Sequence, residues 1–132
     1  MVKYNPITED IRKRISDTLG DGCIVSNPDE IEPYSKDASG LNYPPELVVR
    51  VRETTQIQGL MKMANEYRFP VTPRGGGSGL AGGCLPVLGG VVLSLEKLNR
   101  IISIDTKNLV AQVQPGTITR ILRDAVRKRG LF

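Results

Sequence analysis

The chain has 132 residues, 39% hydrophobic and 24% charged, a mix that suits one globular domain and excludes an unfolded chain. No apolar run reaches the roughly 18 residues of a membrane span. The net charge is a mild +4 and His is 0, which excludes a histidine base or a His-ligated metal from this chain.

The start, Met1-Val2-Lys3-Tyr4-Asn5-Pro6, turns polar at once, so no secretory leader is expected and a cytoplasmic setting is. Cys23 and Cys84 are too few for a disulfide scaffold and wrongly spaced for zinc, so free thiols of a reducing compartment are expected. A nucleic-acid partner is not expected. Trp 0 and Phe 2 leave few stacking platforms, and Glu9, Asp10, Asp29, Glu30, Glu32 and Asp37 dilute the positive charge.

Residues 1–43 read as an N-terminal helix and lead-in. Ile11, Ile15 and Leu19 recur at helical spacing from Thr8 to Leu19, with Thr8 as cap, Glu9 and Asp10 in the first turn and Gly20 as stop. A short apolar step follows at Cys23-Ile24-Val25, then a helical turn over Asp29–Tyr34 and a loop from Ser35 to Pro45.

Residues 44–132 open on a β-α-β pattern. Leu47–Val51 is β-branched and short, a strand. Thr55 and Gln58 suggest a capping box for a helix whose apolar stripe is Ile57, Leu60, Met61, Ala64 and Tyr67. Phe69–Thr72 reads as the next strand, ended by Pro73, and Val91–Leu95 as a buried strand. Ile101–Asp105 and Leu109–Gln114 form a hairpin around Thr106-Lys107-Asn108. Thr117 caps a closing helix to Arg129, with Ile118, Ile121, Leu122, Ala125 and Val126 on one face and a solvated basic end at Arg127-Lys128-Arg129. The expected fold class is α+β: a β-α-β unit, a hairpin and a closing helix.

Glycine is the outlier, with eight of the 14 between Gly75 and Gly90. In Pro73-Arg74-Gly75-Gly76-Gly77-Ser78-Gly79-Leu80-Ala81-Gly82-Gly83 the backbone can turn through positive φ and approach a ligand with no Cβ in the way. Successive N–H groups can converge on an anion, with Arg74 and Ser78 as further donors, so a phosphate or pyrophosphate is the natural guest. A flexible structural linker is the competing reading, weakened by the apolar strands on both sides. No Lys follows a glycine here, so this is not a P-loop. Gly77, Gly79 and Gly82 match G-x-G-x-x-G, but Gly83-Cys84-Leu85-Pro86 and Gly89-Gly90 forbid the helix that motif must open. Any phosphate must be held by the loop itself.

These segments, with Val91–Leu95, Asn99-Arg100-Ile101, Val113-Gln114-Pro115-Gly116, Tyr34-Ser35-Lys36-Asp37-Ala38-Ser39 and Pro44–Val51, resemble the N-terminal FAD-binding region of the vanillyl-alcohol oxidase / p-cresol methylhydroxylase flavoproteins. Within them the likeness is to the glycolate oxidase / D-lactate dehydrogenase branch, and it runs in order along nearly the whole chain. It implies the N-terminal half of a p-cresol-methylhydroxylase-type FAD-binding domain, in an oxidoreductase of small 2-hydroxy acids. Arg74, Gly75, Gly76, Gly77, Ser78 and Gly79, entered through Pro73, would line the FAD pyrophosphate. Gly82 and Gly83 would let the loop pass close to the cofactor, and Pro115 and Gly116 would wall the other side. Some relatives carry a flavin-linked His near the Ser78 position; with none here, the FAD is expected to be non-covalent.

The family pattern continues beyond a segment like Gly130-Leu131-Phe132, so the chain reads as an N-terminal part truncated at its C-terminal side. No catalytic residue and no metal site are expected on it, nor turnover by it alone. Self-association or a completing chain is expected to cover its apolar face. The alternative is a non-catalytic fragment or folding module that needs a missing segment or partner chain to bind FAD. Three residues have plainer readings: Cys84 as a small apolar filler, Asp37 as a turn former and Tyr34 as a core-edge tyrosine. Arg74 is the exception, since a charge opening a glycine nest is better explained by a phosphate.

Overall fold

Short β-branched runs buried on both faces pair best side by side, each shielding the next. A computed structural model of the chain describes residues 3–132 and shows this arrangement; Met1 and Val2, read above as part of the polar start, lie outside the described residues. The elements are α1 (Glu9–Leu19), β1 (Ile24–Val25), α2 (Pro28–Ile31), β2 (Leu47–Arg50), α3 (Thr54–Tyr67), β3 (Val71–Arg74), β4 (Val91–Ser94), β5 (Ile101–Asp105), β6 (Val110–Val113) and α4 (Thr119–Arg127). One sheet has the order β1-β2-β4-β3, with β1 antiparallel and the rest parallel. Strands β5 and β6 form a separate hairpin with a register shift between Ile101 and Ser103.

Side chains alternate across a strand, so the two faces of the sheet collect different residues. Leu47, Val49, Val51, Val91 and Leu93 face α1 and α3 and pack with Ile11, Ile15, Leu19, Leu60, Met63 and Ala64. Val48 and Val92 face the other way and pack with Val25, Tyr34 and Ile31. Each Val, Leu, Ile or Met among them contributes roughly 1.5–3 kcal/mol when fully buried.

Helix α1 starts as expected: Thr8 accepts from the Ile11 N–H, and Gly20 ends it at φ +96°. Several other boundaries differ from expectation. The capping box of α3 is Glu53 with Gln56, not Thr55 with Gln58, because the chain bends at Arg52 and Glu53 and the helix begins already at Thr54. The helix is also rotated, so Met63 is buried and Met61 is exposed. Pro73 lies inside β3 rather than after it. There Pro70 accepts from Val91 of the neighbouring strand and Arg74 from Leu95 just past its end, and Pro73 faces the open sheet edge, where a missing N–H costs nothing. Helix α4 is capped by Ile118, not Thr117, and no side chain completes the cap. Strand β4 ends at Ser94, one residue early.

From Gly82 to Gly90 the chain runs in turns to β4, with no helix after Gly83. Gly90 takes φ +71°, where any Cβ would overlap the Pro70 carbonyl. Among the described residues, no helix is long and apolar enough to cross a membrane.

Candidate functional site

In parallel sheets, ligands are taken up beyond the carboxyl ends of the strands. Here those ends carry a row of polar side chains. Arg50, Ser94 and Arg74 are register partners across β2, β4 and β3, on the face that Tyr34 covers. Arg50 Nε donates to the Tyr34 hydroxyl at 3.0 Å, and that hydroxyl donates to Glu96 Oε2 at 2.9 Å. Arg50 also pairs with Glu30 at 2.8 Å and Glu96 at 3.1 Å, and these acceptors hold its guanidinium above its ordinary pKa, the Tyr34 hydroxyl foremost. The guanidinium carbons of Arg50 and Arg74 stand 5.8 Å and 5.6 Å from the Tyr34 ring centroid, a double cation–π contact.

A cleft of about 530 Å³ opens over this row. Of the residues expected to form the site, Arg74, Gly75, Gly76 and Gly116 line it, together with Tyr34, Arg50, Glu96, Asn99 and Ile118. Gly75 lies beside the Pro115-Gly116 turn: a Cβ on Gly75 would sit 3.5 Å from the Pro115 carbonyl. Gly116 is wedged so tightly on the Leu95 and Leu98 carbonyls that a Cβ would overlap them, and its N–H donates to Leu98 at 2.8 Å. Pro73, Gly77, Ser78, Gly79, Gly82, Gly83 and Pro115 do not line the cleft; all but Pro115 lie along β3 and the loop that leaves it.

Arg74 is placed differently from expectation. Its side chain is buried, Nη2 donates to the Pro33 carbonyl at 2.9 Å, and Nη1 lies 3.3 Å from Cys84 Sγ. The arginine therefore braces the loop from beneath. Cys84 is half-buried with a cation beside it, not an apolar filler among neutral neighbours. Asp37 does form the expected turn, its Oδ1 accepting from the Ser39 N–H at 2.8 Å, and its Oδ2 also takes the Gly82 N–H at 3.2 Å.

The glycine loop itself has donors to spare. Among the described residues, no backbone N–H from Gly75 to Leu80 has a hydrogen-bond acceptor within the chain. Gly77 and Gly82 need glycine for their own backbone, at φ +66° and +72°. Gly79 and Gly83 do not: a Cβ on either would meet nothing within 4 Å, and neither has a positive φ. Unused N–H groups beside bare Cα atoms are the chemistry that an anion such as a phosphate needs.

Arg50, Glu96, Glu30 and Asn99 were not foreseen in the site. For Arg50 the signal was present: it ends a strand on the face of Val48, opposite Leu47 and Val49.

Residues 45–132 match the family model described as an FAD binding domain. The chain belongs to that family. FAD is its cofactor. Over 128 residues the chain is 38% identical to glycolate oxidase subunit GlcD of Bacillus subtilis, covering 96% of this chain and 27% of that protein. Over 133 residues it is 32% identical to D-lactate dehydrogenase of Anaerostipes hadrus, covering 98% of this chain and 28% of that one. Among solved structures, p-cresol methylhydroxylase with substrate bound superposes with TM-score 0.76 at 30% identity, covering 90% of this chain and 24% of that chain. The FAD binding domain fold expected from the sequence is thus the one observed, and the chain spans about a quarter of these relatives' length.

Proposed function

We propose that this chain is the N-terminal FAD-binding part of a flavin-dependent oxidoreductase of small 2-hydroxy acids, with the cofactor held non-covalently. The run of unpaired N–H groups from Gly75 to Leu80 carries this reading. Gly75, Gly76, Gly77, Ser78 and Gly79 would donate to the pyrophosphate, and the bare Cα atoms of Gly79 and Gly83 would admit it closely. Pro73 and Arg74 set the start of the loop, Gly82 its return, and Pro115 with Gly116 the facing wall. When bound, FAD supplies the two-electron acceptor for oxidising a carbon that bears a hydroxyl. The residues of this chain bind and orient; no catalytic group is assigned to them.

The substrate class rests on the likeness to a glycolate oxidase and a D-lactate dehydrogenase. The free thiols of Cys23 and Cys84 support a reducing, cytoplasmic setting. The exposure of Leu109, Val110, Ile118 and Ile121 favours a second arrangement, in which a further segment or chain covers the hairpin and α4 and completes the FAD site.

Anaerobic mixing tests the reading. The protein that carries this chain should copurify with flavin absorbance, and glycolate or D-lactate should bleach it. A flavin reduced by neither would overturn the substrate class, and a colourless protein that takes up no added FAD would overturn the cofactor role.

A further inference from the structure

The segment before β2 grips the glycine loop at three points. The Pro33 carbonyl accepts from Arg74 Nη2 at 2.9 Å, the Ala38 N–H donates to the Gly79 carbonyl at 3.1 Å, and Asp37 Oδ2 accepts from the Gly82 N–H at 3.2 Å. Asp37 is itself fixed. Its Oδ1 takes both the Ser39 N–H and the Ser39 hydroxyl. Gly79 and Gly82 are therefore held from outside the loop, while the N–H groups of Gly75 to Leu80 stay free.

We propose that Asp37 is a positioning residue for the phosphate-binding loop: its carboxylate pins Gly82 and so presents the free N–H groups to the cofactor in a preformed shape. This rests on the reading of the loop as the pyrophosphate site. The role needs a carboxylate, because both oxygens accept at once. Asparagine would turn an NH₂ group toward either Ser39 or Gly82, donor against donor. The hydrogen bonds from Ser39, first its hydroxyl and then its N–H, with that from Gly82 and the charge of Arg74, hold the Asp37 carboxyl below its usual pKa against a smaller opposing effect of burial. The adjacent Lys36 is paired with Glu32, and Arg74 is the charged group acting on Asp37.

The test uses the whole protein that carries this chain and compares wild type with Asp37→Asn and Ser39→Ala, using FAD fluorescence quenching, thermal unfolding and the pH titration of the Gly82 amide by NMR. In wild type the Gly82 amide should titrate below the ordinary Asp value of about 3.9. Asp37→Asn should abolish that titration and weaken FAD binding about tenfold or more, with secondary structure retained. Ser39→Ala should move the acid loss of FAD binding to higher pH, because it removes the largest contribution that keeps Asp37 ionised.

Unchanged FAD affinity in a folded Asp37→Asn overturns the proposal. If that variant does not fold, an unmoved acid midpoint in Ser39→Ala overturns it. If wild type binds no FAD, the pyrophosphate reading falls and the Gly82 amide alone judges the clamp. A titration that Asp37→Asn removes then upholds it, and no titration overturns it.

Discussion

The guanidinium of Arg74 occupies the space that a Cβ on Gly77 would need. One glycine of the loop is thus explained from within the chain, by a buried arginine pressed beneath it. Gly77→Ala forces a side chain into φ +66° and displaces Arg74 from Pro33 and Tyr34. The left-handed backbone alone costs roughly 1–2 kcal/mol. Chemical denaturation should show at least that loss, together with loss of FAD binding.

Gly79→Ala should behave differently. A Cβ there meets no atom of the chain and no positive φ has to be kept. Stability should stay within about 0.5 kcal/mol of wild type, as for a surface change. FAD affinity should fall sharply, because the new methyl enters the space of the ligand. A Gly79→Ala protein that binds FAD normally would remove this glycine from the site.

Tyr34→Phe deletes a buried hydroxyl that accepts from Arg50 and donates to Glu96. Hydrogen bonds to charged groups contribute about 1.5–3 kcal/mol. Urea unfolding should report a loss of that size, with the Arg50 and Arg74 stacking left in place.

Gly116→Ala should destabilise by about 1–3 kcal/mol, the cost of overpacking, since the Leu95 and Leu98 carbonyls that block its Cβ belong to the backbone. Thermal unfolding checks this.

Asp105 gives a pH signature. It accepts from the Asn108 and Lys107 N–H groups and the Asn108 side chain in the hairpin turn, and the Asn108 bonds foremost lower its pKa. A carboxyl whose folded pKa is depressed adds stability above its unfolded pKa and loses it as pH falls through the folded one. Asp105→Asn should therefore flatten part of the acid limb of a stability–pH curve and leave neutral-pH folding cooperative.

Most elements of the fold were legible because periodicity reports burial. Ile11, Ile15 and Leu19, and the unbroken Val91–Leu93, could only be a buried helix face and a buried strand. The misses lie where periodicity is degenerate. Met61 lies three residues before Ala64 and Met63 three after Leu60, so either could join the apolar stripe, and only the packing of α3 on the sheet selects Met63. Pro73 depends on which strand lies at the edge, a tertiary fact. In the site, the glycine run pointed to an anion, but the work of Arg74 is set by Pro33 and Cys84, and that of Asp37 by Gly82. Those contacts span between 10 and 45 residues of chain and leave no local pattern.

If FAD is held by the free N–H groups of the glycine loop, those amides must respond to it. Titrating the ¹⁵N-labelled chain with FAD and following each amide reads this directly. Saturable shifts are expected to concentrate at Gly75 to Leu80, with smaller ones at Gly116. ADP, which shares the pyrophosphate, should reproduce the loop shifts. Saturable FAD binding that leaves the Gly75–Leu80 amides unmoved would contradict the assignment of the loop.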